Sequence, residues 1–92
     1  MIGRFKTVET HFIGNHRFRI QERHASADER RWGSVYRVHH QYLGKLAVSE
    51  FIAEDMETES GCRLEILYFL SRWPEHKRRI LTKSMRRSSN AK

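Results

Sequence analysis

The stretch HRFRIQER, residues 16–23, alternates without a break: Phe18 and Ile20 fall on one side, and Arg17, Arg19, Gln21 and Arg23 on the other. Successive strand side chains point to opposite faces, so a period of two marks a half-buried strand, here with an arginine-rich outer face. Gly14-Asn15 before it is a turn signal, which makes residues 3–13, GRFKTVETHFI, a first strand. After it, HASADERR (24–31) is a polar connection whose length suits a protruding loop better than a tight turn.

The alternation returns in RRWGSVYRVHHQYLGK, residues 30–45. Tyr36, Val38 and His40 share one face, and Val35, Arg37, His39 and Gln41 the other. A strand therefore splits the histidine pair, and His39 and His40 cannot act together on one substrate or metal. Leu43-Gly44-Lys45 reads as a turn in which Gly44 supplies a positive φ. KLAVSEFI (45–52) follows as another strand, with Leu46, Val48 and Ile52 aligned.

Beyond the acidic segment EDMETES, Thr58 or Ser60 can cap a helix whose positive end Glu57 and Glu59 favour. Apolar residues at 62, 66, 69, 70 and 73 form its stripe, and Leu64, Leu67 and Tyr68 widen that stripe almost around the helix. A helix this apolar should be covered by the sheet. Pro74 either ends it or begins a second helix at the first position, where proline is tolerated. PEHKRRILTKSMRR then carries a narrow apolar stripe, Ile80, Leu81 and Met85, on a strongly basic helix that frays near Arg87.

The fold class expected is α+β: a three- to four-stranded antiparallel meander packed against one buried helix, with a short basic C-terminal helix. Its 92 residues, 38% of them hydrophobic, suffice for one domain with one modest core, placed at 1–87 with 88–92 as a flexible tail. No apolar run reaches the ~18 residues of a membrane span, and the start lacks the apolar core of a signal peptide. A cytoplasmic protein is expected. The single Cys62 forms no intramolecular disulfide, and with scattered histidines it gives no zinc spacing, so burial is its expected fate.

Charge is distributed unevenly. Residues 1–76 hold eleven Lys/Arg and eleven Asp/Glu, whereas 77–92 hold seven Lys/Arg and no acid, so the tail carries the whole net charge of +7. Residues 4–45 are basic, nine against four, and 50–59 carry five acids and no base. Such bipolarity suggests distinct surfaces.

If residues 16–23 and 35–41 pair, one sheet surface gathers Arg17, Arg19, Arg23, Arg37, His39 and Gln41, with Arg30 and Arg31 in the connecting loop. Clustered guanidiniums repel, and become favourable when phosphates replace their counterions. The alternative is a solvated face with cross-strand Arg–Glu pairs. Single strands also need exposed rings for stacking; Trp32 is the one platform expected, since Tyr36 and Phe18 read as core. Lys77, Arg78, Arg79, Lys83 and Arg86 on the last helix offer a second contact. No metal site, cofactor site or catalytic motif is read. The enzymatic alternative is an RNA-cleaving toxin in which His39, with Arg37, Arg19 or Glu22, activates a ribose hydroxyl. A third class is a protein-binding scaffold that works through the acidic residues 54–59.

The order of meander, LGK turn, acidic helix start, apolar LEILYFL helix and short polar final helix, over residues 16–87, resembles small phage-encoded anti-CRISPR proteins. Inhibitors of type I surveillance complexes are the nearest in layout. The resemblance implies a non-enzymatic protein in a bacterial cytoplasm that occupies a Cas protein or the crRNA and target-DNA path. Many such proteins are acidic DNA mimics. A basic chain implies contact with crRNA, DNA or an acidic Cas surface. RWGSVYRV, LGK and the following helix also look like the three-stranded DNA-binding domains that begin some phage integrases, in which the open sheet face enters the major groove.

Overall fold

A computed structural model describes residues 4–25 and 33–90, with helix side chains described to Thr82. Strands β1 (Lys6–Ile13), β2 (His16–His24), β3 (Ser34–Tyr42) and β4 (Val48–Met56) form one antiparallel sheet in that order, and α1 (Glu59–Asn90) follows. This is the expected α+β layout. Gly14 takes φ 57° in the two-residue β1–β2 loop, as a hairpin with glycine at its first loop position requires. Gly44 does not use a positive φ as the sequence suggested. It is needed for space, because a Cβ there would stand 2.5 Å from the Tyr42 ring.

Register settles which side chains share a face. Phe18 pairs with His40 and Ile20 with Val38, while Arg17 pairs with Gln41, Arg19 with His39 and Gln21 with Arg37. The first set turns to α1 and is fully buried with Cys62 and Ile66, bordered by Tyr36, Ile52, Ala53, Met56, Phe69 and Leu70. Burial pushes the Cys62 thiol up to about 11, leaving it an inert core group. Both Ile52 and Ala53 reach this core because β4 bulges, with Phe51 opposite His39 and Ala53 opposite Val38. A second irregularity carries β4 to Met56, through acidic residues that the sequence reading placed after the strand, and Asp55 there takes φ 59°.

Beyond Val38 the core becomes a stack of rings. His40 lies 5.0 Å from Phe18 and 4.4 Å from Phe69, centroid to centroid, and Trp73 meets His16 edge-on at 4.8 Å. His16 Nδ1 and His40 Nε2 are 2.9 Å apart, so one neutral ring donates to the other. Burial, then the nearby His16, lowers His40 to about 4. Polar contacts fasten α1 at both flanks: Arg63 forms an ion pair with Glu9 of β1, and His76 Nε2 is hydrogen-bonded to Glu50 of β4 at 3.1 Å. The Arg63 hydrogen bonds hold the Glu9 carboxyl down to about 2.

Thr58, one of the two expected caps, caps α1, its hydroxyl accepting from Gly61 N at 3.0 Å. The helix departs from expectation in three ways. First, Pro74 neither ends α1 nor starts another helix. Second, one helix passes through it to Asn90, beyond the expected fraying point. Proline removes one backbone bond, but Trp73 and His76 on either side of it join the same ring stack, 5.8 Å apart, and that packing carries the helix across. Third, Leu64, Leu67 and Tyr68 are exposed, because a single sheet covers only one side of a helix. No helix is long and apolar enough to cross a membrane among the described residues.

Trp73→Ala should cost ~3–5 kcal/mol of folding stability, the usual penalty for deleting a buried aromatic, measured by urea unfolding. A folded His40 pKa of about 4 against an unfolded 6.5 means that the unfolded chain gains the proton first. Stability is therefore full above pH 6.5 and falls as pH drops toward 4. The unfolding midpoint followed across that window checks the sign.

Candidate functional site

The sheet face turned away from α1 is built by the second set of register pairs. Arg17, Arg19, Gln21 and Arg23 of β2 stand beside Gln41, His39, Arg37 and Val35 of β3, with Ser49 and Phe51 of β4 next in line. On the other side β1 contributes Thr7 opposite Gln21, Thr10 opposite Arg19 and Phe12 opposite Arg17. Five of the residues expected to form a site, Arg17, Arg19, Arg23, Arg37 and His39, thus share one surface. Val35, which the alternation places on this face, is buried.

Two of the guanidiniums, those of Arg17 and Arg37, are held by neutral groups. Arg17 Nη2 donates to Gln41 Oε1, and Arg37 Nε donates to Gln21 Oε1 at 2.7 Å. The Arg37 guanidinium also lies between two rings, 3.9 Å from the Phe5 centroid and 4.3 Å from that of Phe51, and Arg23 is 5.3 Å from Phe5. Among the described residues, Arg17, Arg19 and Arg37 form no ion pair, so the expected cross-strand Arg–Glu pairing is not what orders them. Arg17 Nε is buried without a hydrogen-bond partner. Arg17 and Arg37 are thus half-buried and hydrogen-bonded to amides, with no carboxylate partner among the described residues.

His39 reports that field. Its pKa is lowered by burial and then by Arg19, Arg17 and Arg37 in turn, and its Nε2 sits 3.0 Å from Ser49 Oγ. Glu22 cannot serve His39 as a carboxylate partner: it pairs with Tyr36 in the register that faces α1. No group of three or more metal-ligating side chains is present among the described residues.

Rings that sequence reasoning passed over complete the face. Phe12 is 67% exposed and Phe51 43% exposed, each on the arginine side. Phe12 was hidden by the imperfect alternation of β1, whose register shifts between Thr7 and Glu9, and Phe51 by the bulge in β4. The expected platform Trp32, with Arg30 and Arg31, lies outside the described residues. Lys77, Arg78 and Arg79 belong to α1, on the opposite side of the sheet. Lys77 Nζ sits 5.7 Å from the Tyr42 ring centroid, and Arg79 pairs with Glu75 at 3.0 Å. The helix cations are therefore a separate surface; the side chains of Lys83 and Arg86 lie outside the described residues.

Searches of the chain against protein-family models, curated proteins and solved structures find no match.

Arg19→Gln should raise the His39 pKa toward its ordinary value, because Arg19 is the first of the three cations that depress it. A histidine-resolved NMR titration of wild type and variant reads this directly. An unchanged His39 would mean that the guanidinium field does not act there.

Proposed function

We propose that this is a non-enzymatic nucleic-acid-binding protein that engages phosphates through its open sheet face. The observation that carries the reading is the set of half-buried guanidiniums, Arg17, Arg19 and Arg37, unpaired with carboxylates among the described residues, with Arg17 and Arg37 ordered by amides and Arg37 also by rings. A solvated structural face has no need to immobilise cations without neutralising them. Phosphate oxygens neutralise them bidentately, and released counterions drive the association.

The exposed rings favour a single strand. Phe12 and Phe51 flank the arginines, and a base stacked on such a ring contributes ~1–3 kcal/mol irrespective of sequence. Duplex recognition of the integrase type needs a sheet that enters a groove, and there the rings would serve no purpose. The layout resemblance supports a more specific setting: an anti-CRISPR protein that occupies the crRNA or displaced-DNA path of a type I surveillance complex. An acidic protein surface is the second reading of the same charges.

Binding of a labelled twenty-nucleotide RNA, the matching single-stranded DNA and the duplex should be measured across a salt series. Single strands should bind more tightly than duplex. Each phosphate contact contributes about 0.7 to the log–log salt slope on a single strand, so replacing Arg17, Arg19 and Arg37 together by Gln should flatten the slope by about 2. Affinity indifferent to salt, or no binding to any probe, would remove the phosphate reading. The cleavage alternative requires RNA fragments that vanish in His39→Ala, and intact RNA after prolonged incubation is the expected result.

A further inference from the structure

The outer side of α1 carries an apolar patch that no described residue covers. Leu64, Leu67 and Tyr68 are 57%, 61% and 61% exposed, and with Ser71 they fall at the spacing that lines one helix face, opposite the Cys62, Ile66, Phe69 and Trp73 stripe on the sheet. The helix is about 48 Å long at 1.5 Å per residue, against strands of roughly 30 Å. Its second half therefore extends past the sheet, and the molecule's longest extent is 53 Å.

We propose that a second copy of the chain covers this patch, helix against helix and antiparallel, about a two-fold axis near Tyr68. Charge selects this occupant. Glu65 and Arg72 lie on one flank of the patch, where both line the groove between β4 and α1. Neither makes an ion pair among the described residues, and seven helical residues, about 10.5 Å of rise, separate them. A two-fold near Tyr68 sets Glu65 of one copy beside Arg72 of the other, twice over. Parallel pairing, with its two-fold along the helix axes, would carry the second copy's Glu65 and Arg72 to the opposite edge of the contact, where neither pair could form. Leu64 faces the small Ser71 in the antiparallel register, which leaves room for close approach of the two helices.

The apolar patch is small against the ~1,200–2,000 Å² of a stable interface, so the ion pairs set the register and the dimer is salt-sensitive. The product has four layers, with a sheet on each outside and both arginine faces pointing away from the contact. The pairing does not depend on what those faces bind.

Sedimentation equilibrium of the full chain over a concentration series at low salt should show a reversible monomer–dimer equilibrium. Glu65→Arg and Arg72→Glu should each raise the dissociation constant at least tenfold, and the double variant should restore it; circular dichroism confirms that each remains folded. Leu67→Cys should form a disulfide-linked dimer on mild oxidation and Thr82→Cys should not, while the buried Cys62 stays out of reach. A chain that is monomeric at every concentration overturns the proposal. So does a dimer indifferent to the single variants, or one that the double variant fails to restore.

Discussion

One helix can cover only one face of a sheet, and the rest of this structure depends on which face it takes. The choice is made by the ring stack. Phe18, His16 and His40 from the sheet meet Phe69 and Trp73 from α1 at centroid distances of 4.4 to 5.9 Å. Burying those rings accounts for much of the driving force available to so small a domain. It also takes two histidines, His16 and His40, out of water, and burial lowers the pKa of each and favours its neutral form. Arg63–Glu9 and His76–Glu50 then keep the helix aligned over the sheet from either side.

The arginine face is the counterpart of that choice. Because the pleat is strict across β2 and β3, each buried residue dictates an outward neighbour: Phe18 places Arg17 and Arg19, and His40 places His39 and Gln41. The two adjacent histidines illustrate the separation. His40 is depressed chiefly by burial among rings and His39 by burial together with three guanidiniums, so consecutive residues sample the two environments of the protein. Gln41 holds Arg17, and Gln21, Phe5 and Phe51 hold Arg37, without cancelling their charge, and on the proposed reading the neutralising partner arrives from outside.

Much of this was legible in the chain. The unbroken alternation of residues 16–23 and 35–41 gave both strands and split the histidine pair, and the burial of Cys62 and Ile66 followed from helical spacing. Three features were not legible, for physical reasons. Phe51 sits beside the β4 bulge and Phe12 lies beyond the β1 register shift between Thr7 and Glu9, so an alternation counted along either whole strand loses step. Leu64, Leu67 and Tyr68 look like core because hydrophobicity reports a preference for burial and not the number of layers available to satisfy it. Pro74 is a breaker by local propensity, and the tertiary packing of Trp73 and His76 overrides it.

The most direct test of a divided sheet is a side-chain-resolved NMR titration with a short single-stranded RNA. The resonances of Arg17, Arg19, Gln21, Arg37, His39, Gln41 and Phe51 should move, while Phe18, Ile20, Val38 and His40, one position away along the same strands, should stay in place. Perturbations confined to α1, or none at concentrations well above those needed for other single-strand binders, would contradict the assignment of the open face as the binding surface.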